Sequence, residues 1–465
     1  MSVLHTAEIN TDDPTHYSES AFVLSVAEYA MEIGFFEKFE WVELEMKEVE
    51  NTLLDKHKTG IFSIVSGCPS TYAINTILRP QKVVAQALDL SNGFTEQSLM
   101  NRFYRRFDGL ALEGMREVYR FLFQKHSTTC RMEGMKVVDI DPTGLVANGK
   151  HYEFAACGYF ANHRGAQGYQ LTLASCCGEV VTFLLDPGNI RPTCRFEALM
   201  YEMAETVGSF EELFIRGDRE FGSGSNVTFL VEHHCGFLLK GYDNRTARKL
   251  ARRLRSQLQR RWVTVETDKD SLVQVADAGM QEIPNCPYLV HVYLERRRKK
   301  DGKLRYQYSY YVTSFTSEEV CEEFVHNFYN ERVTIESLIK EDKSQLLLKN
   351  LRTKDYLGIQ AFLFHGFMAH NLMKWFARDV LKATELEGVS IPTMVRTLTR
   401  LHVPITLKVK HALRRIVFYV ANCHRYVRVL LEATKRWLEA HIREGPHYVP
   451  FQSLAIAVSP ASCKD

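Results

Sequence analysis

Two hydrophobic rhythms divide this chain. Up to about residue 130 apolar positions recur three and four apart, the spacing of one helical face. Residues 21–36 read as a helix, 66–78 as another after Gly67, and 95–107 as a third that starts on small polar residues. From about residue 133 the runs are short, alternating and β-branched. Residues 137–140, 169–174 and 180–185 predict three successive strands, the first stopped by Pro142-Thr143-Gly144. A helix over about 195–206, a strand at 213–215, a helix near Val227 and a strand at 237–240 follow. Periodicity alone assigns this order to the α/β class.

Beyond it, residues 245–255 are strongly basic, and 262–267, 288–295 and 306–313 again predict strands rich in aromatic and β-branched residues. The run Arg296-Arg297-Arg298-Lys299-Lys300 joins the last two and is expected at an exposed hairpin tip. Residues 353–376 predict a largely apolar, buried helix, in which His365 and His370 are five apart and are read as packing or local hydrogen-bonding residues. From about 390 the chain turns basic (Lys408, Lys410, His411, Arg414, Arg415, Arg425, Arg428, Lys435), with a helix near 426–441 and a loose tail over the last fifteen or so residues.

One polar stretch stands apart. Tyr329, Arg332, Glu336 and Lys343 lie at offsets of three, seven and fourteen. On one helix these offsets fall near roughly 300°, 340° and 320°, so the four side chains share a narrow stripe. A core stripe is apolar; this one mixes signs, with Val333, Leu338 and Ile339 turned elsewhere. It suits a metal-binding carboxylate beside phosphate-binding cations, although a solvated face with an Arg332–Glu336 pair has the same spacing.

Carboxylates also stand at two predicted strand ends. Asp139 and Asp141 are two apart and face the same side of a strand. Asp218 follows residues 213–215 directly, in Arg216-Gly217-Asp218-Arg219-Glu220-Phe221, with Glu220 as a weaker alternative and Phe221 expected to bury under the turn.

Together these segments resemble the DDE transposases encoded by bacterial insertion sequences, in the group whose last acidic residue lies in a Tyr-(2)-Arg-(3)-Glu-(6)-Lys motif. All four motif positions match, Asp141-Pro142-Thr143 is similar to the family's Asp-x-Thr, and residues 216–221 are similar to its Arg-Gly-Asp-x-x-Phe. The family often has tryptophan after the motif arginine, where this chain has Val333.

The resemblance implies a ribonuclease-H-like α/β core interrupted by a β-rich insertion, with a mainly helical N-terminal domain. The boundaries expected are 1–130 for the N-terminal DNA-binding domain, 131–240 and 316–385 for the core, 241–315 for the insertion and 386–465 for the basic C-terminal region. It implies Asp141, Asp218 and Glu336 as catalytic residues and metal ligands, with Asp139 as neighbour or substitute for Asp141. Tyr329, Arg332 and Lys343 are expected to bind phosphate. Arg102 and Arg105 (with Asn101 and Arg106) on the helix near 95–107, and Arg296, Arg297 and Arg298, are further candidate DNA contacts.

The chemistry is consistent with such a set. Phosphodiester cleavage needs an activated oxygen nucleophile and neutralised charge, which two divalent ions about 4 Å apart can supply. Carboxylates are hard donors suited to Mg²⁺, and Mn²⁺ is expected to substitute. The implied activity is binding of terminal inverted repeats, strand cleavage and strand transfer into target DNA, by a homodimer on double-stranded DNA. The alternatives are a nuclease on the same core and a catalytically silent, transposase-derived DNA-binding protein.

Composition adds limits. At 465 residues the chain is long enough for two to four domains. A net charge of +2 means that any attraction to DNA comes from patches. No eighteen-residue apolar run and no basic-then-apolar start is found, so neither export nor a membrane span is expected, and the bacterial cytoplasm and nucleoid are the expected location. The eleven cysteines lack CxxC pairing and are read as reduced thiols.

Overall fold

A computed structural model describes residues 16–46, 50–158, 160, 163, 165–258, 261–267, 271–299, 306–410, 413–418 and 425–441. The chain folds as two compact units, one of residues 1–126, 151–153 and 341–465, the other of 127–150 and 154–340.

The first unit is mainly helical. The helix Tyr356–Val380 is buried on nearly every side, with Phe362, Phe367, Leu372 and Phe376 fully enclosed. His365 within it hydrogen-bonds to His57 and to the Tyr104 hydroxyl, each at 3.0 Å, and burial drives its pKa well below the ordinary value. Helix Leu53–Val65 escapes the sequence pattern because Lys56, His57 and Lys58 interrupt its apolar face. The two lysines are buried all the same, donating to the Asn51 and Leu88 carbonyls at 2.8 and 2.6 Å. The single helix expected over 66–78 is replaced by a turn, a short helix Thr71–Ala73 capped by Ser70, and a π-helical turn Ile74–Leu78. Strands His16–Ser20, His402–Lys410 and Leu413–Phe418 form a separate antiparallel sheet. The tail expected at the C-terminus and His411 lie outside the described residues.

The second unit is built on one mixed sheet. Its strands are β1 (Lys136–Val146), β2 (Ala156–Cys157), β3 (Gln167–Cys176), β4 (Glu179–Pro187), β5 (Leu213–Gly222), β6 (Gly236–Gly241), β7 (Val263–Thr267), β8 (Ser271–Gln281), β9 (Val290–Lys299) and β10 (Tyr306–Thr313). Their order is β2-β3-β1-β5-β6-β10-β9-β8-β7, with β4 also paired to β3. Helices α1 (Phe196–Val207), α2 (Gly224–Glu232), α3 (Asn244–Arg253), α4 (Glu322–Asn330) and α5 (Val333–Ser344) accompany it, and the last four residues of α5 fall in the first unit.

The structure differs from the sequence expectation at the end of β1 and at the arginine run of β9. β1 does not stop at Pro142 but runs on to Val146, paired with β3 after its pairing with β5 has ended at Ile140. A proline fits a strand where one neighbour has already left. The strands of the expected insertion continue the same sheet, because β10 pairs with β6. Arg296, Arg297 and Arg298 sit within β9, paired with both β8 and β10, and not at a hairpin tip; Lys300 lies outside the described residues. Among the described residues no helix is long and apolar enough to cross a membrane.

Candidate active site

The site is laid out by strand register. β1, β5 and β6 run parallel, and the pairings Val137–Phe214–Gly236 and Asp139–Arg216–Leu238 set two rows across them. Val137, Phe214 and Leu238 pack with Tyr293, Tyr311, Val325 and Tyr329 in one apolar cluster, which fixes the face they share. Side chains alternate along a strand, so residues two further on keep that face. Asp141 on β1 and Asp218 on β5 are the next residues on that face, just beyond the last β1–β5 pair, Ile140–Gly217, and each acts on the other's surroundings through its charge. The face rises from apolar, through a buried acid–base pair, to two aspartates.

Gly217 serves the opposite face. A Cβ there would lie 2.9 Å from Ile140 Cγ1 and 3.1 Å from a Leu239 methyl. The missing side chain lets β5 lie close between its neighbours, which brings Asp141 and Asp218 together.

The middle row is a buried staple. Arg216 holds Asp139 in a two-pronged ion pair, Nε–Oδ1 at 2.7 Å and Nη2–Oδ2 at 2.9 Å, both side chains only 7% exposed. Its Nη1 donates to the Phe328 carbonyl at 2.6 Å and to Glu331 at 3.0 Å. Burial pushes the Asp139 pKa up against the pull of Arg216. Asp139 is thus committed to Arg216, and Asp141 is the aspartate of β1 on which the charge of Asp218 acts.

That staple also explains a correction. The stripe from Tyr329 to Lys343 was expected on one helix, but α4 ends at Asn330 and α5 starts at Val333. The Phe328 carbonyl, which a continuous helix would give to the amide of Arg332, is taken by Arg216, and the Arg332 amide turns to Tyr329 at 3.2 Å. A side chain inserted into the helical ladder breaks it there. Tyr329 lies at the end of α4, Arg332 in the break, and Glu336 and Lys343 on α5.

In the upper layer Arg332 bridges the acids. Its Nη1 meets Asp141 Oδ1 and its Nη2 meets Glu336 Oε1, each at 2.7 Å, with side-chain exposures of 10% for Arg332, 16% for Asp141 and 51% for Glu336. Burial raises the Asp141 pKa to about 7; Arg332 pulls it down, while Asp218 and Glu336 push it up. Burial likewise raises Asp218, whose Oδ1 accepts the Glu220 amide at 2.9 Å. Burial works against the charge of Arg332, but Tyr329 and the three carboxylates outweigh it and raise its pKa.

Asp141, Asp218 and Glu336 thus act on one another's charge around a single guanidinium. Among the described residues no three histidine, cysteine or carboxylate side chains are grouped to hold a metal ion as they stand. The donor chemistry fits a hard divalent cation nonetheless. All three are carboxylates, and two of them are buried enough that ionisation is resisted until positive charge arrives. Arg332 contacts only one oxygen of each of Asp141 and Glu336.

The remaining candidates lie elsewhere. The Tyr329 ring is buried against Tyr311, with centroids 5.0 Å apart, and is not exposed for base stacking. Lys343 is on the last turn of α5, its ammonium pKa lowered by burial and by Lys349. Arg102 and Arg105 are exposed on the first unit's helix Gln97–Arg105, with Arg105 4.0 Å from Asp355. Arg296 lies against the rings of Trp262 and Tyr306, 4.2 and 4.5 Å from their centroids, and donates to Gln274. Arg298 approaches Tyr306 at 5.9 Å, and Arg297 is exposed. Sequence reasoning overlooked Arg216, Lys240 and Glu295. The two-residue spacing of Arg216 from Asp218, matching Asp139 from Asp141, was a signal for the first.

The model of the family described as "Transposase DDE domain group 1" matches residues 45–441. A search of curated proteins finds none that matches.

Proposed function

We propose that this chain, which belongs to the family of group 1 transposase DDE domains, is a cut-and-paste transposase of an insertion sequence. It binds the terminal inverted repeats of its element, cleaves there, and joins the freed 3′-hydroxyl to target DNA. The observation that supports this most is the placing of Asp141 and Asp218 on neighbouring parallel strands, tied through Arg332 to Glu336. We read strands β1, β3, β4, β5 and β6 with α1 and α2 as a ribonuclease-H-like core, a reading supported by their chain order of three strands, helix, strand, helix, strand.

In this reading Asp141, Asp218 and Glu336 hold Mg²⁺, with Mn²⁺ as a substitute. When bound, the metal supplies an activated oxygen nucleophile and neutralises charge on the phosphate. Arg332, whose guanidinium contacts Asp141 and Glu336 with one nitrogen each, would offer a planar fork for a phosphate oxygen pair beside those carboxylates. Lys343 adds a point charge for the DNA backbone. Tyr329 acts from below, as a buried ring that supports Arg332 at 5.7 Å. Arg102, Arg105 and Arg297 contribute sequence-independent contacts, and Arg296 and Arg298, stacked on aromatic rings, contribute less freely. The protein works as a homodimer on double-stranded DNA.

Glu336→Gln tests this reading. The variant keeps helix and volume and loses the charged ligand. Binding of duplexes taken from the DNA flanking the gene should survive, while Mg²⁺-dependent cleavage falls by several orders of magnitude. Cleavage near the wild-type rate would remove Glu336 from the site. Binding without cleavage in the wild type as well would favour a silent DNA-binding protein.

A further inference from the structure

One charged residue outside the carboxylate set shares an aromatic ring with Arg332. Lys240 follows Leu239, the partner of Gly217; beyond that pair the register of β5 with β6 shifts, and the contact that places Lys240 is the Tyr329 ring. It belongs to none of the motifs that mark the site, and the sequence shows it only as the last residue of a predicted strand.

Its surroundings hold it in place without using it up. Its Nζ lies 5.5 Å from the Tyr311 ring centroid and 5.6 Å from that of Tyr329. Arg332 is 5.7 Å from the same Tyr329 ring, so this one aromatic carries two cations. The hydrogen-bond partner of Lys240 is Glu295, at a loose 3.4 Å. Glu295 already accepts the Ser309 hydroxyl at 2.8 Å and the Tyr311 hydroxyl, and His326 Nδ1 is 3.7 Å away. Glu295 is 6% exposed, whereas the Lys240 side chain is 28% exposed. An ammonium has three donors. A lysine needed only to neutralise Glu295 would be expected to sit closer to it and deeper.

We propose that Lys240 is a substrate-positioning residue of the active site, gripping a non-bridging oxygen of the DNA phosphodiester beside the Tyr329 ring that it shares with Arg332. This rests on the transposase reading above. Arg332 and Lys240 then hold the backbone of the cleaved strand as two cations on one aromatic ring. Lysine suits the task as a compact point charge on a stem stiffened by two rings. The chemical class recognised is a phosphodiester backbone, irrespective of base.

The test compares Lys240→Arg, Lys240→Met and the double variant Lys240→Met/Glu295→Gln, with Glu336→Gln alongside. The probes are labelled duplexes from the DNA flanking the gene and a scrambled duplex of equal length. Lys240→Met should cut cleavage by about tenfold or more and reduce the slope of log affinity against log salt by about one, because one phosphate is no longer neutralised. Lys240→Arg should retain most of both. The double variant removes the pair's charges together and should restore the melting temperature without restoring cleavage or slope.

If the double variant regains cleavage and slope, Lys240 is only the counter-charge of Glu295 and the proposal is overturned. It is equally overturned if Lys240→Met leaves both unchanged. Wild type and Glu336→Gln cleaving alike would strike the functional reading instead, and the salt slope would still decide for or against Lys240.

Discussion

Two arginines bridge strand and helix one step apart, and the chain treats them differently. Arg216 clasps Asp139 with both side chains 7% exposed, and commits its remaining donor to Phe328 and Glu331. Arg332 touches Asp141 and Glu336 with one nitrogen each, and Glu336 is half exposed. The lower pair is bidentate and enclosed, and no part of it can leave without stranding a buried charge. The upper arginine, itself buried, gives each acid a single hydrogen bond, and the helical one of those acids is half exposed. Two aspartates two positions apart on β1 thus meet one arginine from β5 that serves as a rivet and one from the break between α4 and α5 that serves as a clasp. Depth makes the difference: ion-pair exchange is cheap only where water or another cation can take over the vacated charge.

The largest effect should come from breaking the lower layer. Arg216→Met leaves Asp139 buried without its partner and should cost ~3–5 kcal/mol of stability. Arg332→Met should cost roughly 1 kcal/mol or less, because Glu336 is solvated and Asp141 can take up a proton instead. Urea unfolding of both variants measures the contrast. Equal losses would mean that the two layers do not differ in kind. Loss of Arg216 should also let α4 and α5 join, since the Phe328 carbonyl returns to the helical ladder, with a small gain in helical circular dichroism as its sign.

What the sequence disclosed, and what it hid, follows the same division. Features that rest on spacing along one element were legible, as with the order of strands and helices from 137 to 240 and the placing of Asp141 and Asp218 on two of those strands. The surroundings of Lys240 were not, because they depend on rings brought from other elements, and strand register is invisible in a single run of residues. The helix break was hidden for a related reason. Nothing in residues 328–333 forbids a helix, and the interruption comes from a guanidinium 112 positions away in the chain. Helix Leu53–Val65 was missed because two of its polar residues are buried against carbonyls that only the fold supplies. Arg296 was placed at a tip by composition alone, whereas alternate pairing on both sides makes it part of a strand.

A smaller effect should sharpen the comparison on the side of substrate. Arg332→Ala and Lys343→Ala should each weaken duplex binding at low salt and lower the salt slope by about one for each phosphate left without its cation. Arg216→Lys, if it folds, should leave the slope unchanged, since the lower layer is out of reach of DNA. Affinity measured from low to physiological salt separates them. An unchanged slope in Arg332→Ala would mean that its bonds to Asp141 and Glu336 are permanent, and the clasp would be a second rivet.

The smallest effect is a dependence on pH. Burial lifts the Asp141 pKa to about 7, above its ordinary value of about 4. A carboxyl raised in the folded state holds its proton there more tightly than in the unfolded chain. Its stabilising contribution is therefore complete below about pH 4 and is lost as pH rises through about 7. Asp141→Asn is neutral at every pH and lacks this term. In metal-free buffer, the melting temperature of the wild type relative to Asp141→Asn should decline as pH rises from 5, most steeply between about pH 5 and 6, and level off above about 7. Arg332 opposes the trend by favouring the ionised form, so the decline should be larger in an Arg332→Gln background. Asp139 provides the internal contrast, because the pair with Arg216 is sealed at both ends: Asp139→Asn should be destabilising across the same range. A wild type that instead gains on Asp141→Asn as pH rises would mean that Arg332 outweighs burial at Asp141. The upper layer would then be a fully formed ion pair like the one beneath it.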